Sequence, residues 1–179
     1  MPDTTTGARA APIYQTTSYV FDDSDHAASL FNLQTFGNVY SRMTNPTNAM
    51  VEERLATLEG GRAGVVVGSG MAAQMTALLT LLEAGDELVS SSTVYGGTYS
   101  QFDYGFRRFG IATHFVDPED PQNFARAITP KTKALYAETI GNPLNNVLDI
   151  TAVADIAHNA GIPLVIDSTF ATPYLCRPI

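Results

Sequence analysis

The sequence has little cysteine and no long apolar run. Cys176 is its only cysteine, so no disulfide can form within the chain, and a reducing compartment such as the cytoplasm is expected. The first thirty residues contain no basic segment followed by an apolar run. No apolar stretch is long enough to cross a bilayer. We therefore expect neither a secretion signal nor a membrane anchor.

Basic residues are also scarce. Lys and Arg number 10 against 18 Asp and Glu, which gives a formal net charge of -8. This balance argues against nucleic acid or an anionic membrane as the main partner, although an anion can still bind where backbone amides and a few basic groups converge. No Gly-Lys-Ser or Gly-Lys-Thr occurs, which excludes a P-loop. The two lysines, Lys131 and Lys133, both lie just before a predicted strand.

The residues that are present are typical of a globular protein. The chain has 179 residues, of which 45% are hydrophobic and 16% charged, as expected for a chain of single-domain size. Residues 1–45 are predicted to form an extended arm with one short helix near Asp25–Leu33. The Asn45-Pro46 pair predicts the start of a second helix, which Gly60-Gly61 should end.

Beyond residue 62, apolar runs and helical patterns alternate about five times. The predicted strands are Ala63–Val67, Glu87–Ser91, Ala112–Val116, Ala134–Ala137 and Pro163–Ile166. The predicted helices between them are Gly70–Leu82, which should be buried on nearly every side, Tyr99–Phe109, Asn123–Ile128 and Ile150–Asn159. This alternation predicts an α/β fold with a mostly parallel sheet and helices on both faces.

Ligands of such sheets bind beyond the carboxyl ends of the strands. Four short segments lie there: Gly68–Met71, Ser92–Gly97, Glu138–Asn142 and Asp167–Thr169. In the first, backbone N–H groups at a helix start could hold a phosphate, or the segment could be a tight turn that binds nothing. The amides concerned are those of Gly70, Met71 and Ala72.

Three side chains in the other segments are candidates for a binding site. Tyr95 could stack on a flat cofactor or simply pack as an aromatic. Asn142 could donate a hydrogen bond or belong to an Asn-Pro turn. Asp167 ends an apolar strand, where a carboxylate needs either a cationic partner or a helix to cap. A phosphate cup, a ring, an amide and a carboxylate at one edge form the set that pyridoxal phosphate requires.

A dinucleotide fold is a rival interpretation. Gly68–Ala73 fits a loose G-x-G-x-x-A pattern. That fold also needs an acidic residue at the end of the second strand to bind a ribose, and here the strand runs into Ser90, Ser91 and Ser92. Asp86 lies at the wrong end of the strand.

Several longer motifs together resemble one family, the Cys/Met-metabolism enzymes that depend on pyridoxal 5'-phosphate. They are PIYQTTSYVF (12–21), YSRMTNPT (40–47), GSGMAA (68–73), LLEAGDELV (81–89), YGGTY (95–99), FVDPEDP (115–121), Glu138–Pro143 and DSTFATPYLCRPI (167–179). The resemblance implies an aspartate aminotransferase-like large domain, incomplete at the C-terminus and preceded by an arm. It divides the chain into residues 1–59, with the arm and oligomer contacts, and residues 60–179, with part of the cofactor domain.

The resemblance also implies roles for seven residues. Gly70 and Met71 would bind the cofactor phosphate, Tyr95 would stack on the ring and assist catalysis, Asn142 would bond the ring hydroxyl and Asp167 would pair with the ring nitrogen. Tyr40 and Arg42 would reach the phosphate of a neighbouring subunit in a homodimer or homotetramer. No metal is implied, and neither nucleic acid nor a membrane is an expected partner.

The implied activity is γ-replacement in sulfur amino-acid metabolism, which converts O-acetylhomoserine and sulfide to homocysteine. Methionine or cystathionine γ-lyase and cystathionine γ-synthase are alternatives within the family. Ser168 stands where the family usually has Asn, and the family's cofactor-binding lysine has no counterpart, since Lys131 and Lys133 match nothing catalytic. The chain alone is therefore expected to be inactive. The alternative from another class is a non-catalytic module that binds a phosphate ligand or assists assembly.

Overall fold

The computed structural model describes residues 3–179, which form two compact units. The first unit ends at Val66 and the second runs from Val67 to Ile179. The α-helices are α1 Ser24–Phe31, α2 Pro46–Glu59, α3 Gly70–Leu81, α4 Gly96–Ser100, α5 Gln122–Ala127, α6 Ile150–Asn159 and α7 Thr172–Leu175, and a π-helical segment spans Gln101–Phe106. The strands are β1 Glu87–Ser91, β2 Ala112–Val116, β3 Thr132–Glu138 and β4 Leu164–Asp167. Across residues 3–179, no helix is both long enough and apolar enough to pass through a membrane.

The first unit contains the arm and two capped helices. The Asp23 carboxylate accepts the His26 N–H (2.7 Å) at the start of α1. Asn45 caps α2 in the same way by accepting the Thr47 N–H (2.8 Å), with Pro46 in the first turn. Gly60 ends α2 in the left-handed region, at φ 78°. Both helices and the glycine stop are confirmed, because each depends on local capping chemistry.

The second unit is built on a four-stranded sheet in the order β2-β1-β3-β4. All three strand pairs are parallel, which confirms the predicted α/β class. Alternate residues of β3 face opposite layers of helices, since Tyr136 packs in one core cluster while Leu135 and Ala137 pack in the other. The first cluster includes Leu78, Phe102 and Phe106, and the second includes Phe124, Val153 and Ala157.

The structure differs from the sequence prediction at the strand Ala63–Val67, at the helix Tyr99–Phe109 and in the burial of α3. Ala63–Val67 is not a strand: the Val66 N–H is bonded by the Glu52 carboxylate (2.8 Å) and the Val65 side chain is 80% exposed. An apolar run becomes a strand only when a neighbouring strand pairs with it, and none does so within residues 3–179. The predicted helix Tyr99–Phe109 begins three residues earlier and is partly π-helical.

The predicted helix Gly70–Leu82 forms as α3 and ends one residue earlier, at Leu81, but its predicted burial on nearly every side is wrong. Only Gln74 and Leu78 within it are buried, while Leu79 and Leu81 are exposed. One stripe of α3 packs on the sheet, and the described residues leave its other side in solvent. Apolar residues on every side of a helix favour burial on every side, and in α3 the packing against the sheet buries one stripe alone.

Candidate functional site

A cavity of about 410 Å³ opens at the carboxyl ends of the strands in the second unit. This volume is within the range of small-molecule sites. It is lined by Ser69, Gly70, Met71, Gln74, Tyr95, Thr98, Glu138, Ile140, Asn142, Asp167, Thr169 and Phe170. Five sequence-predicted residues are thus brought around one cavity: Gly70, Met71, Tyr95, Asn142 and Asp167.

One side of the cavity is the start of helix α3. The Ser69 hydroxyl accepts the Ala72 N–H (3.1 Å) and caps the helix. Ala72 therefore differs from the prediction, because its amide is already bonded within the cap. The amides of Gly70 and Met71 belong to the first turn, where N–H groups have no partner inside the helix. A Cβ added at Gly70 would meet nothing within 4 Å, so the backbone there is open to a ligand.

The Tyr95 ring lies against the backbone of Gly97. A Cβ placed at Gly97 would come within 2.5 Å of Tyr95 Cε1 and 3.3 Å of Met71 Sδ. The ring can take this position only because residue 97 has no side chain. Tyr95 is 55% exposed, so one face of its ring remains available to a ligand in the cavity.

Glu138 fixes the backbone at Tyr95. Its Oε1 accepts the Tyr95 N–H (2.7 Å). The residue is only 8% exposed, so this contact lies largely out of water. Burial raises the pKa of Glu138, the Tyr95 N–H opposes this rise, and the charge of Asp167 adds to it. The sequence placed Glu138 at the right edge of the sheet, yet gave it no role, because its partner is a backbone amide 43 residues away.

Asp167 is held at the end of β4 by two neighbours. Its Oδ1 accepts both the N–H (3.0 Å) and the hydroxyl of Thr169. Its Oδ2 lies 3.4 Å from the Tyr136 hydroxyl oxygen. The helix-capping alternative for Asp167 is wrong, since α7 begins at Thr172 and Ala171 occupies the cap position.

A buried hydrogen-bond network behind the cavity was missed by sequence reasoning. It joins Gln74, Thr98, Gln101 and Tyr136, with Gln74 only 7% exposed. A glutamine inside an otherwise apolar helix was the available signal, because a buried amide must find partners. Its partners lie 24 to 62 residues away, so the sequence could not identify them.

The remaining predicted residues are divided between the two units. Asn142 lines the cavity, and its peptide bond to Pro143 is cis. Tyr40 and Arg42 belong to the first unit, where Arg42 Cζ lies 5.0 Å from the centre of the Tyr40 ring. Tyr40 forms an isolated antiparallel bridge with Ser18. The side chain of Asn45 supports this segment by donating to the Ser41 hydroxyl oxygen (2.9 Å).

The cavity fits pyridoxal 5'-phosphate in its donors, its acidic groups and its apolar surface. The amides at the α3 start suit the phosphate, Asp167 suits a cationic ring nitrogen, and Tyr95 offers an aromatic face. Met71, Ile140 and Phe170 add apolar surface for a flat ring. The lining side chains include two carboxyls and no Lys, Arg or His, so a cation for the phosphate has to come from elsewhere.

Comparisons with known proteins agree with this chemistry. Residues 1–179 match the family model described as Cys/Met metabolism PLP-dependent enzyme. The chain is 56% identical over 178 residues to O-acetyl-L-homoserine sulfhydrylase of Leptospira meyeri, covering 99% of this chain and 40% of that protein.

Two crystal structures resemble the fold closely. A protein of Campylobacter jejuni described as an O-acetylhomoserine (thiol)-lyase, with N'-pyridoxyl-lysine-5'-monophosphate, gives a TM-score of 0.95 at 40% identity. Cystathionine gamma-lyase of Lactobacillus plantarum, complexed with L-serine, gives 0.88 at 39% identity. Each match covers 99% of this chain and 44% of the other. The chain spans less than half the length of these relatives, and it belongs to the Cys/Met-metabolism family of PLP-dependent enzymes.

Proposed function

We propose that the whole protein catalyses γ-replacement on O-acetylhomoserine with sulfide, and that this chain supplies most of its pyridoxal-phosphate site. The convergence of five family-implied residues on one 410 Å³ cavity carries the proposal. The 56% identity to a sulfhydrylase supports the substrate. A cell compartment that keeps Cys176 reduced, the cytoplasm, is part of the same proposal.

Each of the five family-implied residues at the cavity has a distinct part in this function. The Gly70 and Met71 amides bind the phosphate, and Asn142 bonds the ring hydroxyl. Asp167 keeps a proton on the ring nitrogen. When bound, the cofactor withdraws electrons from the substrate carbons, and a protonated ring does so more strongly. Tyr95 covers one face of the ring and presents its hydroxyl as a group that can take or give a proton.

We further propose that the protein is a homo-oligomer in which Tyr40 and Arg42 reach the phosphate of a neighbouring subunit. The cavity has two carboxyls and no basic side chain among its described lining residues, so a dianionic phosphate needs a cation from another source. The planar guanidinium of Arg42 suits a phosphate. Residues 1–59 would form oligomer contacts, and residues 60–179 would form the cofactor domain. Helix α2 supports this division, because none of its residues is buried within the chain.

Binding of pyridoxine 5'-phosphate tests the site. This analogue carries an alcohol in place of the aldehyde, so it binds without a lysine and cannot react with Lys131 or Lys133. Asp167→Asn should weaken its binding roughly 10- to 150-fold, the value of a charge-assisted hydrogen bond. Asp155→Asn, the same change on the exposed side of α6, should have no effect. Equal affinities for the two variants would refute the site.

Product analysis of the whole protein tests the activity. Supplied with O-acetylhomoserine and sulfide, it should form homocysteine and acetate. Release of 2-oxobutanoate from cystathionine as the main reaction would favour the γ-lyase alternative. Binding of the phosphate analogue with neither activity would favour the non-catalytic module.

A further inference from the structure

The hydrogen-bond network behind the cavity has one fixed orientation. The backbone carbonyl of Met71 can only accept, so the Gln101 amide nitrogen faces it (3.3 Å). The Gln101 oxygen then accepts from the Gln74 amide nitrogen (2.6 Å), whose second contact is Met71 Sδ at 3.4 Å. The oxygen of Gln74 must therefore point the other way, where the Thr98 hydroxyl donates to it (3.1 Å). None of these amides can flip without losing a bond.

The Tyr136 hydroxyl lies at the end of this network, beside Asp167. It is 2.9 Å from the Gln74 oxygen and 3.4 Å from Asp167 Oδ2. A phenol has one proton, so the two oxygens compete for it, and the shorter distance favours Gln74. Burial, followed by the negative charges of Asp167 and Glu138, raises the pKa of Tyr136, which therefore remains a donor.

The competition for the Tyr136 proton affects the one oxygen of Asp167 that is open to a ligand. Its Oδ1 is occupied by Thr169, and Oδ2 is the oxygen left for a cationic ligand. A full hydrogen bond from Tyr136 would hold that oxygen in place and also make it a weaker base. A shared proton limits its rotation while leaving most of its electron density for the ligand.

We propose that Tyr136 is a positioning residue for Asp167, and that Gln74 sets the strength of this contact by competing for the same hydroxyl proton. The proposal rests on the cofactor site proposed above. It makes the start of helix α3 and the end of strand β4 two ends of one polar network. A phosphate group and a ring nitrogen bound at these two ends would then be held by connected parts of the protein.

Two variants separate this role from a general packing role. Gln74→Met has nearly the same shape and removes the competing acceptor, so Tyr136 should donate fully to Asp167. The carboxylate then becomes a weaker base, and the bound ring nitrogen should lose its proton at lower pH. Tyr136→Phe removes the donor, so the ring nitrogen should keep its proton to higher pH, while the Kd of the analogue rises because Asp167 is less fixed. Each change in proton affinity or Kd should be roughly two- to tenfold.

The measurement is a pH titration of the chain with ¹⁵N-labelled pyridoxine 5'-phosphate. The ring-nitrogen chemical shift reports protonation, the fluorescence of the analogue reports Kd, and thermal unfolding confirms that each variant is folded. Tyr104→Phe is the matched control, because the Tyr104 side chain is 66% exposed on the π-helical segment and should leave both readouts unchanged.

Opposite shifts of the titration in Gln74→Met and Tyr136→Phe would support the proposal. Shifts of the same sign in the two variants, or no shift in either, would overturn the proposal. This outcome counts when the unsubstituted chain binds the analogue and Asp167→Asn weakens that binding. If Tyr136→Phe does not fold, the downward shift in Gln74→Met decides alone. Absence of binding by the unsubstituted chain would remove the cofactor site first, and this proposal with it.

Discussion

At the scale of single residues, Gly97 determines where the Tyr95 ring can lie. Gly97→Ala would place a Cβ 2.5 Å from Tyr95 Cε1, and the exposed ring should move away from this contact. Binding of pyridoxine 5'-phosphate should weaken about 2- to 12-fold, since ring stacking contributes ~0.5–1.5 kcal/mol. Fluorescence titration of the analogue measures this change, and thermal unfolding should show little loss of stability.

The neighbouring glycine provides the control. A Cβ at Gly96 would meet nothing within 4 Å, so Gly96→Ala should leave binding unchanged. Both substitutions lie in the first turn of α4 and alter its helix propensity similarly. Equal affinities in the two variants would mean that the position of the Tyr95 ring does not affect binding.

Glu138 should impose a distinct pH dependence on stability. Its pKa is raised above the ordinary value of 4.5, chiefly by burial, so the folded chain keeps this proton to higher pH than the unfolded chain does. The free energy of unfolding contributed by Glu138 therefore falls as pH rises from about 4.5 through the raised pKa, and is constant above it. Glu138→Gln removes this fall and can still accept the Tyr95 N–H.

Urea unfolding of both proteins from pH 4 to pH 8 measures the effect. The unsubstituted chain should lose stability relative to Glu138→Gln as pH rises. Asp3, Glu87 and Asp120 have lowered pKa values and act in the opposite direction, but they are present in both proteins and cancel in the difference. A difference that does not vary with pH would contradict the raised pKa.

The sequence predicted best the positions of residues at the ends of strands and at the start of a helix. Tyr95 and Asn142 follow β1 and β3, and Asp167 ends β4, so the rule for parallel sheets placed these three at one edge without any knowledge of contacts. Gly70 and Met71 line the same cavity as the first turn of α3, although the strand predicted before them does not form. The rule does not predict which side chains contact these residues. The contacts of Glu138 with the Tyr95 N–H and of Tyr136 with Asp167 join residues distant in sequence, and they depend on how the side chains pack.

At the scale of elements, the N-terminus of α3 should serve both stability and binding. The Ser69 hydroxyl caps this helix and lines the cavity, whereas Asp149 caps α6 and does not line the cavity. Ser69→Ala and Asp149→Ala should each lower the free energy of unfolding by roughly 0.5–2 kcal/mol. Only Ser69→Ala should also weaken binding of pyridoxine 5'-phosphate, because the Gly70 and Met71 amides lose their fixed direction.

Denaturant unfolding and fluorescence titration, carried out on the same two variants, check this difference. If both variants bind as tightly as the unsubstituted chain, the start of α3 is not the phosphate site. If both bind more weakly, the loss reflects general destabilisation.

Elements were predictable where their ends carry local signals. Asn45 and Gly60 fix the bounds of α2 through a cap and a left-handed residue, and both are visible in the sequence. Ala63–Val67 has equally clear β propensity and still forms no strand, because a strand requires hydrogen bonds from a neighbour. Pairing is a property of the fold, and no local pattern encodes it.

At the scale of the whole molecule, the charge of the cavity is the strongest argument for a shared site. The two carboxyls at the cavity, Glu138 and Asp167, repel a phosphate unless a cation offsets them. Arg42 lies in the first unit, in a segment held by Asn45 and by contact with the Tyr40 ring. If this guanidinium serves a neighbouring subunit, each complete site needs residues from two chains.

Mixing two defective variants tests this arrangement. Arg42→Ala and Asp167→Asn should each bind pyridoxine 5'-phosphate roughly 10- to 150-fold more weakly when alone. In a mixed oligomer, the intact Arg42 of the Asp167→Asn chain serves the cavity of the Arg42→Ala chain, which retains its carboxylate. Random pairing of equal amounts as dimers should restore roughly a quarter of the sites to full affinity.

Binding titrations of the two chains after joint refolding, compared with the sum of the separate chains, measure the restored fraction. A mixture of Arg42→Ala with the double variant should restore nothing, because no chain in it carries Arg42. Restoration in the first mixture alone establishes that the site is built across the interface. If Arg42 acted within its own chain, neither mixture would regain tight binding, since no single polypeptide would then carry both the guanidinium and the carboxylate.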